Sequence, residues 1–146
     1  MPHITQFDHI GVTVRDLDRA TEFFVSLGCE IEGRTVVEGD FIDTVIGIPD
    51  SKSEIVMLQP PGGSTKVELS SFVRPEREQV TSAAAATELG LRSLAFQVDD
   101  LAAFVERLSA DGYSLVGGIG QYENVWKMAY VRGPENIIVA LAERIG

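Results

Sequence analysis

The sequence predicts an α+β fold built from two βαβββ modules related by a pseudo-twofold axis, their mixed sheets curling into a cup. The first observation behind this is an internal repeat. Moved by 84 positions, Val14-Arg15-Asp16-Leu17 falls on Val98-Asp99-Asp100-Leu101, Glu22 on Glu106, Phe24 on Leu108 and Gly28 on Gly112. The second is that both copies present the same order of signals: an alternating strand, an Asp suited to capping a helix, the helix itself, a Gly suited to ending it, and three further strand-like runs. The third is length. At 146 residues the chain favours one domain, residues 1–146, made of a first module (1–73), a linker (74–90) and a second module (91–146).

The elements follow in order. Phe7–Val14 and Leu91–Val98 alternate and open the two copies. In the first helix Leu17, Ala20, Phe23, Phe24 and Leu27 keep the i, i+3, i+4 spacing of one apolar face, and in the second Leu101, Phe104, Val105 and Leu108 do the same. Strand-like runs come next: Cys29–Val37, Ser53–Gln59 and Lys66–Phe72 in the first copy, Ser114–Gly117, Val125–Val131 and Ile137–Ala142 in the second. The last two runs of each copy are joined by turns at Pro60-Pro61-Gly62-Gly63 and Gly133-Pro134-Glu135-Asn136, where Gly, Pro and Asn supply the backbone angles. At that end the offset has fallen to 72, which places 12 extra residues in the first copy, within Glu38–Lys52. Between the copies Arg74–Gly90 is charged and then Ala-rich, the pattern of a linker with a short helix.

Composition narrows the function classes. Twelve Lys and Arg against 22 Asp and Glu give a net charge of −10, which repels phosphate backbones and anionic lipid; neither nucleic acid nor a membrane is an expected partner. No apolar run reaches the ~18 residues of a bilayer span, and Met1–Phe7 lacks the regions of a secretory signal, so a cytoplasmic location is expected. The single cysteine, Cys29, reads as a small buried hydrophobe.

Strand alternation sorts side chains by face. Ile10, Val12 and Val14 point one way, His9, Gly11 and Thr13 the other; Val67 and Leu69 oppose Lys66, Glu68 and Ser70. The apolar set must meet the helix, which leaves His9 and Glu68 on the inner face of the cup. In the second copy Leu94, Phe96 and Val98 face the helix and Ser93, Ala95 and Gln97 do not, while the last strand sends Ile137, Val139 and Leu141 to the core and Ile138, Ala140 and Ala142 inward. His9 thus corresponds to Ser93, and Glu68 to Ala140.

The segments Asp8-His9-Ile10-Gly11-Val12, Lys66-Val67-Glu68-Leu69, Leu94–Leu101 and Tyr130–Val139 resemble the vicinal oxygen chelate superfamily, which includes glyoxalase I, methylmalonyl-CoA epimerase, extradiol dioxygenases and bleomycin-resistance proteins. The resemblance spans nearly the whole chain apart from the linker. It implies the glyoxalase/bleomycin-resistance fold and a small organic molecule as the partner. In metal-dependent members the first and last strands of each module supply His, Gln or Glu ligands to a divalent metal that stabilises an enediolate or enolate. By that pattern His9 and Glu68 are metal ligands, for Zn, Ni, Co, Mn or Fe, but Ser93 and Ala140 stand where two further ligands belong. Two protein ligands hold a metal weakly, and alanine cannot ligate.

Two functions remain open. One is a metal-assisted lyase or isomerase of the glyoxalase or epimerase kind acting on vicinal-oxygen substrates, with Glu68 or Glu123 moving a proton. The other is a binding protein of bleomycin-resistance type that sequesters its ligand without chemistry. Tyr122, Trp126 and Met128, with Ser93 and Ala140, are the expected ligand-lining residues in either case. The strand edges and pseudo-symmetric surfaces of such modules also lead us to expect a homodimer.

Overall fold

A computed structural model of the protein describes residues 6–76 and 93–146. His3, residues 77–90 of the expected linker with its short helix, and the first two residues of the expected strand at 91–98 lie outside the described residues. The chain forms two compact units, Met1–Val80 and Thr81–Gly146.

The first unit runs β1 (His9–Thr13), α1 (Leu17–Ser26), β2 (Glu30–Glu38), α2 (Asp40–Ile46), β3 (Lys52–Gln59) and β4 (Lys66–Arg74). Its strands form one sheet in the order β1-β4-β3-β2, with β1 and β4 parallel and the other pairs antiparallel. The capping residues read from the repeat behave as expected. The Asp16 carboxylate accepts the Arg19 N–H at 3.0 Å, satisfying one of the free donors of the first turn. Gly28, at φ 108, sits just past the helix end in a conformation that a side chain rarely adopts. Leu17, Ala20, Phe23 and Phe24 of α1 are buried together with Cys29, Val56, Leu58, Val67 and Leu69. Phe23 and Phe24 meet edge to face at 5.3 Å.

The extra residues of the first copy form α2, none of which is buried, and Phe41 and Val45 are exposed on it. What holds α2 is its own Asp43. That carboxylate accepts from the Ser51 hydroxyl at 2.6 Å, from the Ser51 N–H at 2.9 Å and from the Asp50 N–H at 3.0 Å. The Ser51 hydroxyl bond, followed by the Ser51 N–H, holds the Asp43 carboxyl below its ordinary value, and the Arg74 charge adds to this.

The second unit runs β5 (Ser93–Val98), α3 (Leu101–Ala110), β6 (Ser114–Leu115), β7 (Gly120–Tyr122), β8 (Trp126–Arg132), a single 3-10 turn (Pro134–Asn136) and β9 (Ile138–Arg144). Strand order is β5-β9-β8-β6, with β7 pairing beside β8, so the first and last strands in sequence are parallel neighbours as in the first unit. The caps repeat as well: Asp100 accepts the Ala103 N–H at 3.1 Å, and Gly112 follows α3 at φ 94. Glu143 of β9 also reaches back to the Leu101 N–H at 2.7 Å.

Two features differ from the sequence reading. The run Ser114–Gly117 is a strand only at Ser114–Leu115, and a further short strand, β7, follows it; Gly117 and Gly118 break the pleat between them. On β9, Ile138 and Ala140 hold the expected inner parity but are only 2% and 4% exposed. Arg132 and Tyr130 stand directly across from them on β8.

The caps carry a testable consequence. Asp16→Ala and Asp100→Ala should each lower stability by about 1 kcal/mol in urea unfolding. Asp43 provides a second, through pH. Because its folded value lies below the ordinary carboxylate value of about 3.9, its stabilisation is complete above that value and lost as pH falls through the folded one. Asp43→Ala should therefore melt at a lower temperature than the parent at pH 7, and the gap should narrow on acidification below about pH 4.

Candidate functional site

In each unit the face of the sheet turned away from the long helix carries the chemistry. In the first unit the register sets Gly11 of β1, Glu68 of β4, Met57 of β3 and Gly33 of β2 in one row across the sheet. His9 pairs with Lys66 in the next row. Both glycines open this surface: a Cβ built at Gly11 or Gly33 would meet no atom within 4 Å.

The imidazole of His9 stands between two carboxylates. Its Nδ1 donates to Asp8 Oδ2 at 2.7 Å, and its Nε2 lies 3.7 Å from Glu68 Oε2, beyond hydrogen-bond reach. Glu68 is half-buried, flanked on its own strand by the buried Val67 and Leu69. Next to the pair, Lys66 Nζ donates to Glu32 Oε1 at 2.6 Å, and this carboxylate holds the Lys66 ammonium above its ordinary value. The structure therefore brings His9 and Glu68 together, as face parity predicted.

Asp8, Glu32 and Lys66 were not singled out from the sequence. Lys66 shares the parity of Glu68, and its reach to Glu32 passes over the irregular register between Ile31 and Gly33, which no periodicity announces. Asp8 precedes β1, so alternation does not govern its direction. Its direct adjacency to His9 was the available signal.

In the second unit Trp126, Met128 and Tyr130 of β8 share the helix-free face, opposite to the buried Ala129 and Val131. The register sets Ala140 against Tyr130, and Tyr122 of β7 against Trp126. Ser93 pairs with Ile138, two residues along β9 from Ala140 and on the same parity. Of the expected ligand-lining residues, Tyr122 is 65% and Met128 42% exposed, Trp126 and Ser93 are half-buried, and Ala140 is covered. The Arg144 guanidinium lies 5.9 Å from the Trp126 ring centroid. Glu123 stands in the turn between β7 and β8 at φ 49, exposed, with its carbonyl accepting from the Gln121 side chain at 2.9 Å.

A divalent metal was tested against these donors. His9 Nε2 and the Glu68 carboxylate are suitable N and O ligands, and the Asp8–Nδ1 bond is the kind that orients a ligating histidine. The set stops at two. Among the described residues no group of three His, Cys, Asp or Glu side chains is placed to hold a metal ion, and Ser93 and Ala140 add no strong ligand. The described residues do not fit a resident metal centre. Cys29 does not contribute either, since burial pushes its thiol up to about 11, far from the thiolate range of a nucleophile.

Comparison with known proteins fits this architecture. The family model of the Glyoxalase/Bleomycin resistance protein/Dioxygenase superfamily matches residues 8–130. The crystal structure of a glyoxalase family protein from Bacillus cereus is 36% identical, with 99% of this chain and 97% of that one covered at a TM-score of 0.94. More distant structures share the fold. A trypanothione-dependent glyoxalase I from Leishmania major is 19% identical over 96% of this chain and 87% of its own, with a TM-score of 0.66. An antibiotic-binding protein from a Streptomyces species is 19% identical over 99% of both chains, with a TM-score of 0.62. No curated protein sequence matches the chain significantly. The chain thus has the glyoxalase/bleomycin-resistance fold and belongs to the Glyoxalase/Bleomycin resistance protein/Dioxygenase superfamily.

Proposed function

We propose that the protein binds a small organic molecule against a helix-free sheet face without needing a resident metal. The observation that carries this reading is the His9–Glu68 pair: two polar side chains from the first and last strands of one unit, set together on an open surface beside Gly11. The exposed Tyr122 and Met128 and the half-buried Trp126 give the second unit an apolar surface of the kind organic ligands use. Among the described residues no helix is long and apolar enough to cross a membrane, and the net charge of −10 disfavours anionic polymers.

A second reading is catalytic. The line Asp8–His9–Glu68 supports it, because a carboxylate beside a histidine whose other nitrogen is already held can accept and return a proton at a bound ligand's carbon. Glu68 is the proton carrier of choice here; Glu123, in its exposed turn, ranks below it. The reaction class would be an isomerisation or elimination. Exposed Phe41 and Val45 on α2, with the long edge strand β2, support a homodimer, which light scattering would report as twice the 15.9 kDa of the chain.

Trp126 is the chain's single tryptophan and gives a direct readout. Titration with 2-methoxynaphthalene should quench its fluorescence with the same affinity before and after chelator treatment, and Tyr122→Ala should weaken that binding by about 1 kcal/mol, roughly 5-fold. Affinity that disappears with chelator would overturn the metal-independent reading. Metal analysis is the complementary measurement. Zn²⁺ or Ni²⁺, and likewise Co²⁺, Mn²⁺ or Fe²⁺, should be lost on dialysis from a two-ligand site, whereas one tightly held ion per chain in purified protein would restore the metal-assisted assignment.

A further inference from the structure

The first unit's sheet ends in a long strand with one open side. Among the described residues β2 pairs only with β3, so the backbone groups on its outer edge have no strand beside them. The edge is uncovered: α2 is inserted at the tip of the β2–β3 hairpin, where Glu38 pairs with Lys52, and eight of the nine β2 residues are exposed. Proline, lysine and bulges are the usual guards against edge pairing. Glu30–Glu38 contains neither residue, and its irregular register lies between Ile31 and Gly33, which leaves Gly33–Glu38 as regular strand. When two copies pair antiparallel about a twofold axis normal to the sheet, the residue on the axis fixes every opposition. Centring on Arg34 sets arginine against arginine and Glu30 against Glu38; centring on Thr35 sets Glu32 against Glu38. Centring on Gly33 uses the irregular end and a Glu32 already held by Lys66 at 2.6 Å. Centring on Val36 sets each Arg34 opposite Glu38 of the other copy, each Thr35 opposite Val37, and Val36, which is 52% exposed, against itself. Both charged partners are available for this. Arg34 meets Asp18 at 3.5 Å, and Glu38 meets Arg74 at 3.5 Å and Lys52 at 3.8 Å, all exposed contacts that hold little.

We propose that the outer edge of β2 is the surface on which a second copy of this chain docks, in the register centred on Val36, so that the two four-stranded sheets join into one. The inference rests on the homodimer reading above and deepens it by naming the interface and the residues that select its register. Charge complementarity points to a second copy as the occupant. A net charge of −10 makes two copies repel in general, and the Arg34–Glu38 oppositions, formed twice by symmetry, supply attraction at this edge. The apolar residues agree with the same register. Phe41 of α2, 81% exposed just beyond Glu38, is carried toward the end of the other copy's β2 where Ile31 is 45% exposed.

The test exchanges the charges and traps the register, on the full chain. Arg34→Glu and Glu38→Arg each set like charges against one another twice, and by sedimentation each should weaken the dimer by about 10-fold or more. An equimolar mixture of the two variants again unites opposite charges at both oppositions and should recover a heterodimer of near-parental affinity. Unchanged melting temperatures of the separate variants serve as the check on fold. Residues directly opposite in an antiparallel pair have Cα atoms about 4.5–5.5 Å apart, within disulfide reach. Val36→Cys should therefore give a covalent dimer on mild oxidation, whereas Arg34→Cys should not. The parent chain should give none, since Cys29 is buried and its thiol is pushed up to about 11. A dimer indifferent to both charge variants, or one trapped through Arg34→Cys in place of Val36→Cys, overturns the proposed interface while leaving the homodimer intact. A parent chain that sediments as a single copy at every concentration overturns the reading on which it rests.

Discussion

One long helix in each unit covers one face of a sheet, and only one. Everything else in the molecule is arranged around that asymmetry. Because successive strand residues point to opposite sides, burying Val67 and Leu69 against α1 commits Glu68 to the uncovered side, just as turning Ile10 and Val12 toward the helix commits His9. The polar pair is a by-product of core packing in the geometric sense: the apolar residues choose the register, and the register carries the polar residues with it. A slip of one residue in β4 would bury Glu68 and expose two leucine-class side chains together, so the placement of the pair is protected by the hydrophobic energy of its neighbours.

The two units show what such a scaffold keeps and what it releases. Both retain an Asp that caps the long helix and a left-handed glycine just beyond its end, since each is required by backbone geometry whatever the sheet carries. Both retain the parallel pairing of their first and last strands. The uncovered faces have diverged. The first is charged and hydrogen-bonding, with Asp8, His9, Glu32, Lys66 and Glu68; the second is aromatic and apolar, with Tyr122, Trp126 and Met128. Substitution on an uncovered face costs the fold little, and so the duplicated modules are free to differ there.

Much of this was legible in the sequence because it obeys a period. The helices, their caps, the parity of His9 and Glu68, and the buried Cys29 follow from spacings of 2 or 3.6 residues and from single residues with special backbone roles. What was hidden lies where periodicity breaks down. The short strand β7 arises in a glycine-rich stretch without alternation, and α2 arises in the extra residues of the first copy, held by one carboxylate rather than by an apolar stripe. The burial of Ala140 on the face parity assigns away from the helix depends on neighbours that one strand's pattern does not record. Asp8 was overlooked because alternation over the expected strand Phe7–Val14 sets it on the face opposite His9, whereas it precedes β1, and Lys66 because its partner lies two strands away across an irregular register.

The pairing of β1 with β4 has a kinetic consequence. These strands are the first and last of their unit, so their union closes the longest loop between paired strands of that sheet. Closure entropy grows with loop length, and topologies dominated by such distant contacts assemble slowly. His9 and Glu68 sit on either side of this final seam. Until this seam closes the two side chains are not set together, so a nascent or nicked chain that lacks β4 would keep α1 and the β2–β3 hairpin but no His9–Glu68 pair.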